Sequence, residues 1–227
     1  MDLKEHYHEL YKVSSQAILA ENYRLDLNIK NPSDSRFGIT LLIRPDENIK
    51  ANIKLFLDEI KAIDPAQYYY PDSDIHITVI SIISCYEGFK LDKITVNDYV
   101  AIIQKSLVDI GKIKINFRGV TASPDALMLQ GFPSDESLNN LRNNLRRNFK
   151  KSGLQHSIDS RYTIATAHST VMRFQERLQN PEKLLEVVEK FKEFNFGEFT
   201  VENLELVYND WYQREKNTVH LKNFSLK

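Results

Sequence analysis

The sequence predicts a single domain of the α/β or α+β class, and three observations support this prediction. Short apolar segments with the composition of β-strands alternate with longer segments whose apolar residues recur at helical spacing. The order strand, helix, strand occurs twice along the chain. With 227 residues, of which 42% are hydrophobic, the chain is long enough to bury one large core, and its sequence contains no linker long enough to divide that core.

The first 35 residues are predicted to form a helical extension to this domain. Apolar residues recur at helical spacing from Leu3 to about Asn22, which indicates a helix with one apolar stripe. The turn-forming segment Asn-Pro-Ser-Asp-Ser at residues 31–35 then separates this helix from the first strand. We therefore divide the chain into an extension, residues 1–35, and one bilobal domain, residues 36–227.

The domain is predicted to consist of two halves with the same order of elements. In each half, a strand followed by a proline turn leads into an amphipathic helix and then into a strand that carries a histidine, His76 in the first half and His168 in the second. Further strands and a helix complete the pattern. The predicted strands cover residues 39–43, 75–83, 112–121, 126–132, 162–174, 199–209 and 217–226, and the predicted helices cover residues 47–63, 97–110, 136–150 and 181–194.

Charge and composition limit the classes of function. Thirty Lys and Arg residues are balanced by 31 Asp and Glu residues, so no general positive field is available to hold a long nucleic acid, although a small phosphate ester or an RNA end is compatible. The single cysteine, Cys85, allows neither an intramolecular disulfide nor a cysteine-cluster zinc site, and its apolar neighbours predict a buried thiol. The polar N-terminus and the lack of any apolar run of about 18 residues predict a cytoplasmic protein.

Two histidine motifs carry the chemistry that the sequence suggests. Residues 76–79 read His-Ile-Thr-Val and residues 168–171 read His-Ser-Thr-Val, each inside a predicted strand and at the equivalent place of its half. Because strand side chains alternate between faces, the histidine and the threonine of each motif point the same way. A single copy is a weak signal, whereas two copies at matched positions of a repeat indicate a functional pair.

This set of groups suits the cleavage of a phosphodiester. The reaction needs a base that takes a proton from the attacking oxygen and an acid that protonates the leaving oxygen, and imidazole can do either at neutral pH. The hydroxyls of Thr78 and Thr170 can donate to phosphate oxygens, and the arrangement requires no metal. The remaining histidines have no partners at metal-ligand spacing and are predicted to be structural or exposed: His6, His8, His156 and His220.

With these motifs, the sequence resembles the 2H phosphoesterase family, which includes bacterial RNA 2′,3′-cyclic phosphodiesterases, also called 2′-5′ RNA ligases, and eukaryotic cyclic phosphodiesterases. The resemblance covers about residue 36 to the C-terminus and is carried by the paired His-x-Thr tetrads. It implies an α+β fold of two pseudo-symmetric βαβ-type lobes with antiparallel-rich sheets around a central cleft, plus the N-terminal helix. It also implies that the cleft is lined by His76, Thr78, His168 and Thr170.

The second motif continues to Arg173, like the family's His-x-Thr-hydrophobic-x-Arg form, and this likeness implies that the arginine binds substrate. Strict alternation along the strand, by contrast, places Arg173 on the face opposite His168. The first motif continues Ile-Ser-Ile-Ile, where the family more usually has Phe-Leu-Gly, and the N-terminal helix lies outside the shared core. These departures concern the identity of the substrate more than the class of reaction.

Other residues are candidates for the rim of the cleft. Tyr70 lies in a run of three tyrosines just before the first motif strand, and we include it among the substrate-binding residues. Arg36, Arg161 and Tyr162 can supply charge or a stacking face for a base, although each also has an ordinary interpretation as a surface or core residue. The basic stretch at residues 142–151 is interpreted as a solvated helix face rather than an RNA-binding surface.

The leading hypothesis is a cytoplasmic, metal-independent phosphodiesterase without a cofactor. It acts on a cyclic or 2′-linked phosphodiester of a nucleotide or RNA end, with His76 and His168 as the acid/base pair. Its partner is that small substrate, and neither a membrane nor a long nucleic acid is expected. Two alternatives stay open: a non-catalytic module that binds a nucleotide or RNA end, and an enzyme that interconverts sugar anomers, which leaves the threonines without a task. The residues assigned to substrate binding are Thr78, Thr170, Arg173 and Tyr70.

Overall fold

Two antiparallel β-sheets and five α-helices form the framework of the protein in a computed structural model, which describes residues 2–226. The strands are β1 (Arg36–Ile43), β2 (Tyr68–Tyr69), β3 (Ile77–Glu87), β4 (Ile113–Ser123), β5 (Ala126–Pro133), β6 (Ser169–Arg173), β7 (Asn195–Val201), β8 (Asn203–Asp210) and β9 (Val219–Ser225). The helices are α1 (Leu3–Leu19), α2 (Glu47–Ile63), α3 (Val96–Ser106), α4 (Ser137–Ser152) and α5 (Pro181–Lys190). Sheet A has the strand order β3-β1-β8-β9, and sheet B has the order β2-β6-β5-β4-β7.

The predicted internal repeat is visible in the order of the strands. Each half contains a strand, a helix and a second strand, β1-α2-β3 or β5-α4-β6, and the two strands of each half pair antiparallel. β8 then pairs with β1 in sheet A, and β4 pairs with β5 in sheet B. The α+β class with two pseudo-symmetric lobes is therefore confirmed.

The helix of each half packs on the sheet of the other half. Helix α2 leaves sheet A but contacts β6 and β7 of sheet B, and α4 leaves sheet B but contacts β3 of sheet A. Asp46 caps α2 by accepting a hydrogen bond from the amide of Ile49 at 2.9 Å. The apolar stripe of α2 is buried, and it consists of Ile49, Ile53, Phe56, Leu57 and Ile60.

The N-terminal helix α1 is attached to sheet B. The buried Tyr7 hydroxyl donates to the carbonyl of Gly131 at 3.2 Å, and the Thr121 hydroxyl donates to the carbonyl of Tyr7 at 3.1 Å. After α1, the chain continues along the β4–β5 turn, where the amide of Arg24 donates to the carbonyl of Pro124 at 2.7 Å. The amide of Asp26 then donates to the carbonyl of Phe174 at 2.8 Å. These two hydrogen bonds hold the last part of the extension beside the C-terminal end of the second motif strand.

Two of the predicted strands differ most in extent from the observed ones. Only Ser169–Arg173 of the predicted strand 162–174 is a strand, because arginines of α4 supply hydrogen bonds to the preceding segment: Arg146 donates to the carbonyl of Ile164 at 2.9 Å, and Arg142 donates to that of Thr166 at 2.8 Å. The predicted strand 199–209 is divided at Glu202, because β7 belongs to sheet B and β8 to sheet A.

The basic helix α4 also differs from its predicted solvated face. Arg142 is fully buried, and its guanidinium donates to the carbonyls of Thr78, Val79 and Thr166 at 2.8–3.0 Å. This single side chain therefore contacts the backbone next to both histidine motifs. Across residues 2–226, no helix has the length and apolar character needed to cross a membrane.

Candidate functional site

A cleft of about 390 Å³ lies between the two sheets, and both histidine motifs line it. Its walls include His76 and Thr78 from sheet A and His168 and Thr170 from sheet B. Each histidine directly precedes its strand, whereas the sequence prediction placed both inside strands. The equivalent positions match the internal repeat, so the fold brings the two imidazoles and the two hydroxyls to one surface.

An extra residue in the second motif strand decides which side chains face the cleft. Leu127 and Met128 of β5 pair with Met172 and Thr170 of β6, so that Val171 has no partner in this register. A bulge of this kind shifts the alternation of the following residues by one. Arg173 therefore lines the same cleft as His168, and its predicted placement on the opposite face was wrong.

The first motif strand contains the same irregularity at the matching place. Leu41 and Leu42 of β1 pair with Ile80 and Thr78 of β3, which leaves Val79 as the extra residue. A second register shift follows, and Thr78, Ser81 and Ser84 consequently all line the cleft at intervals of three residues. Ser81 stands at the place that corresponds to Arg173, five residues after the histidine.

The backbone orients the ring of His76. Its Nδ1 lies 2.7 Å from the carbonyl oxygen of Asp74. Because a carbonyl only accepts hydrogen bonds, Nδ1 carries a proton in both charge states of the ring. Nε2 is therefore the nitrogen that exchanges a proton with a ligand in the cleft.

His168 is oriented by a side chain. Its Nδ1 lies 2.6 Å from the hydroxyl oxygen of Thr166. A hydroxyl can donate or accept, so this contact permits either neutral tautomer. The contact therefore orients the ring, but it does not determine whether Nδ1 or Nε2 carries the proton of the neutral form.

Both imidazoles favour their neutral form in this environment. Burial lowers the pKa of His76 to about 4, the hydrogen bond to Asp74 opposes this change, and the charges of Arg44 and Arg173 add to it. Burial likewise lowers the pKa of His168 to about 4, together with the charges of Arg142 and Arg173. An anion between the rings reverses this effect, because it stabilises the charged form.

Arg173 is held in the cleft by a phenol and by carboxylates. Its Nε donates to the hydroxyl oxygen of the buried Tyr70 at 3.0 Å. Its Nη1 lies 3.6 Å from Asp26 and 3.9 Å from Asp125. Tyr70 also lines the cleft, so both residues of the predicted substrate-binding set that lie outside the tetrads are placed with the histidines.

Residues of the N-terminal extension contact Arg173 and the side chains beside it. The carboxylate of Asp26 accepts a hydrogen bond from the Tyr212 hydroxyl at 2.7 Å, in addition to its contact with Arg173. The Tyr212 hydroxyl also accepts a bond from Arg36 at 3.3 Å, and Arg36 is bound to Asp34 of the extension at 2.7 Å. Sequence patterns provided no signal for these contacts, since they join segments far apart in the chain.

The segment between α4 and β6 covers the free edge of β3. The amide of Ser84 donates to the Ser157 hydroxyl at 2.7 Å, and Arg161 donates to the carbonyl of Cys85 at 2.8 Å. Tyr162 lines the cleft with its ring largely exposed, and Cys85 is buried as predicted. Further residues line the cleft that the sequence analysis did not single out: Ser81, Ser84, Ser157, Asn209, Trp211 and Gln213.

Asp159 and Gln213 both line the cleft with a left-handed backbone, and Gln213 is the buried one of the two. Its φ is 59°, in the left-handed region that residues other than glycine seldom adopt. It is buried, and its side-chain Oε1 has no hydrogen-bond partner within residues 2–226. Strained residues with unpaired polar atoms are concentrated at functional sites. Over the same residues, no group of three or more His, Cys, Asp or Glu side chains is arranged to hold a metal ion.

Comparison with known proteins identifies the fold. No family model and no curated protein matches the chain. Among solved structures, TT0787 of Thermus thermophilus is 17% identical with a TM-score of 0.58, covering 83% of this chain and 97% of its own. A phosphoesterase (15%, TM-score 0.57) and E. coli LigT in complex with 3′-AMP (14%, TM-score 0.56) each cover 85% of this chain and 99% of their own. The chain thus has the α+β fold of the LigT and phosphoesterase structures.

Proposed function

We propose that this protein is a phosphoesterase that cleaves a cyclic or 2′-linked phosphodiester of a nucleotide or RNA end by acid/base catalysis without a metal. One observation carries the proposal: two His-x-Thr motifs, at matching positions of the internal repeat, line one cleft together with Arg173. Each histidine has its Nδ1 engaged, by Asp74 or by Thr166. Oriented imidazoles with a free nitrogen are the groups that proton transfer to and from phosphate oxygens requires.

In this mechanism, His76 is the acid and His168 is the base. The carbonyl of Asp74 stabilises a charged His76 ring, whereas Thr166 offers His168 no comparable preference for the charged form. On the basis of this hydrogen bond, we assign the additional proton of the singly charged pair to His76. His168 takes a proton from the attacking water, the new P–O bond forms, and His76 protonates the ribose oxygen as the old P–O bond breaks. A 2′,3′-cyclic phosphate thereby becomes a phosphomonoester.

The remaining cleft residues bind the phosphate. Thr78 and Thr170 donate to its non-bridging oxygens from opposite sheets, and Arg173 supplies positive charge. The Tyr70 hydroxyl holds the Arg173 guanidinium at Nε and leaves its terminal nitrogens for the ligand and Asp26. Nucleotide substrates are supported by the structural neighbours, since E. coli LigT has been solved with 3′-AMP, ATP, NADP+ and phosphate.

The decisive experiment is incubation of the purified protein with 2′,3′-cyclic AMP and a 2′-5′ dinucleotide in EDTA. We expect conversion of at least one of them, with the products separated by chromatography and the phosphomonoester assigned by phosphorus NMR. Binding of both ligands without turnover would instead indicate the non-catalytic module. Turnover that requires added metal would contradict the mechanism.

The pH dependence follows from the lowered pKa of each histidine. Catalysis needs one charged and one neutral ring, and in the free protein both rings have a pKa of about 4. Above that value the singly protonated pair becomes rarer by about tenfold for each pH unit, so kcat/KM should fall as the pH rises from 5 to 8. The decline in kcat should come at higher pH, because the bound phosphate raises both pKa values.

The measurement is kcat and kcat/KM for 2′,3′-cyclic AMP between pH 5 and 9 at constant ionic strength. Circular dichroism at each pH serves as the control for folding. A kcat/KM that stays level or increases over this range would contradict the assignment of both protonation states.

Arg173→Ala should lower kcat/KM by about tenfold or more, since it removes a charged hydrogen-bond donor to phosphate. Tyr70→Phe should cause a smaller loss, because it frees the guanidinium without removing its charge. In the Arg173→Ala background, Tyr70→Phe should have no further effect, which a double-mutant cycle measures.

Tyr69→Phe is the matched control for the loss of a phenol. Its hydroxyl donates to the carbonyl of Asp64 at 2.6 Å and does not line the cleft. Additive losses from Tyr70→Phe and Arg173→Ala would show that the tyrosine acts independently of the arginine.

A further inference from the structure

Arg161 is fixed at the end of the cleft away from the histidines. Its Nη2 donates to the carbonyl of Cys85 at 2.8 Å, and its guanidinium carbon lies 4.6 Å from the centre of the Trp211 ring. Both Arg161 and Trp211 line the cleft. A hydrogen bond at one nitrogen and an aromatic ring beside the plane restrict the guanidinium, while its other nitrogens stay available as donors.

Arg161 is exposed, and the described part of the protein supplies no ion-pair partner for its charge. Among residues 2–226, no carboxylate lies within ion-pair distance of it, whereas the neighbouring arginines do have such partners. Arg36, which lies over the same Trp211 ring at 4.7 Å, is bound to Asp34 at 2.7 Å. Arg173 lies 3.6 Å from Asp26. A restrained arginine without a carboxylate in a cleft is suited to an anionic ligand.

Arg161 is not beside the histidines, because it is held at the far end of strand β3 from the first motif. Strand β3 extends along the cleft from Thr78 to Cys85, whose carbonyl holds Arg161. Thr78 lies opposite Leu42 of β1 and Cys85 lies beside Gly38, so at ~3.3 Å per residue of β1 the two ends are about 13 Å apart along the strand. The cleft wall between the two ends presents hydroxyl groups, from Ser81, Ser84 and Ser157.

From this geometry we propose a second anion subsite, in which Arg161 on Trp211 binds a phosphate of the substrate other than the one that is cleaved. The inference rests on the proposed function, and it names the substrate class as a phosphodiester that carries at least one further phosphate. Guanidinium groups bind phosphate through paired N–H donors, and the serine hydroxyls along β3 can contact the sugar or phosphate between the two ends. In an RNA end, the nearest such phosphate is the one on O5′ of the terminal nucleotide, and the other internucleotide phosphates lie farther along the chain.

Binding can be measured without turnover, because Trp211 is the only tryptophan of the sequence and lies at the subsite. Its fluorescence is titrated with three product-like ligands: a nucleoside 3′-phosphate, a nucleoside 3′,5′-bisphosphate and a short RNA ending in a 3′-phosphate. We expect the wild-type protein to bind the RNA most tightly. Arg161→Gln should reduce the preference for RNA over the mononucleotide by about tenfold, and Arg161→Lys by less.

Arg147→Gln is the matched control, since it removes the same charge from the exposed face of α4 outside the cleft. It should leave the preference for RNA unchanged. For wild type, log affinity for RNA should depend more steeply on log salt than for Arg161→Gln, by about 0.7 for one phosphate contact. If the wild-type protein prefers the bisphosphate over the 3′-phosphate as strongly as it prefers the RNA, the bound group is the 5′-phosphate.

The subsite is refuted if Arg161→Gln leaves the preference for RNA and its salt dependence as in wild type. This outcome differs from failure of the proposed function. The proposed function fails if wild type cleaves neither 2′,3′-cyclic AMP nor a short RNA with a 2′,3′-cyclic end, whatever the titrations show.

Discussion

Replacing His76 or His168 by alanine should lower kcat/KM for 2′,3′-cyclic AMP by roughly a hundredfold or more, since each removes a proton carrier. The double variant should be little worse than either single variant, because the two rings act on one reaction coordinate. The roles separate with a p-nitrophenyl phosphodiester, whose leaving group needs no proton. On that substrate His76→Ala should regain much of its activity, whereas His168→Ala should not.

His220→Ala is the matched control for these variants. His220 is exposed on strand β9, outside the cleft, and its ring forms a hydrogen bond with the side chain of Asn223 at 2.6 Å. Its loss should leave kcat/KM unchanged. Thr78→Ala and Thr170→Ala should retain more activity than the histidine variants, because each removes one hydrogen bond to phosphate. Near wild-type turnover by His76→Ala or His168→Ala would refute the acid/base pair.

Arg142→Met should lower the free energy of unfolding by about 3 kcal/mol, because it leaves buried carbonyl oxygens without donors. Arg142 is fully buried and donates to the carbonyls of Thr78 and Val79, inside the first histidine motif, and of Thr166, just before the second. The same change should lower kcat/KM by about tenfold or more, since small displacements of reacting groups are costly. Urea unfolding and the assay with 2′,3′-cyclic AMP measure the two effects.

The control is Arg147→Met, which makes the same substitution on the exposed side of the same helix. Substitutions of this kind change stability by less than about 0.5 kcal/mol. Equal stability of the two variants would mean that water or local rearrangement replaces the donors of Arg142. Burial lowers the pKa of Arg142 to about 10, so the side chain is still charged throughout the proposed assays.

Local signals in the sequence were sufficient for most helices and for the location of the motifs. Helix α2 spans Glu47–Ile63 as predicted, because Asp46 caps its start and its apolar stripe has regular helical spacing. The two His-x-Thr motifs were recognisable because the repeat gave each of them a counterpart. The catalytic roles of these residues are still predictions.

Other features depend on contacts between distant segments and have no local signal. The placement of Arg173 follows from the extra residue Val171, and nothing in the sequence marks a bulge there. Arg142 has the helical spacing of a surface residue, yet the carbonyls of two other segments surround it. Trp211 and Gln213 lie in an irregular segment after β8, where neither period nor composition indicates a cleft.

Neither half of the chain can complete a sheet on its own. Sheet A needs β8 from the C-terminal part of the chain beside β1, and each half's helix covers the sheet of the other half. Nucleation must therefore close long loops before many native contacts can form, which slows folding in comparison with proteins rich in local contacts. This exchange of helices between the halves also makes partial unfolding unfavourable. Unfolding one sheet exposes the apolar face of the helix that comes from the other half. We therefore expect the two histidines to come together only when both sheets have formed.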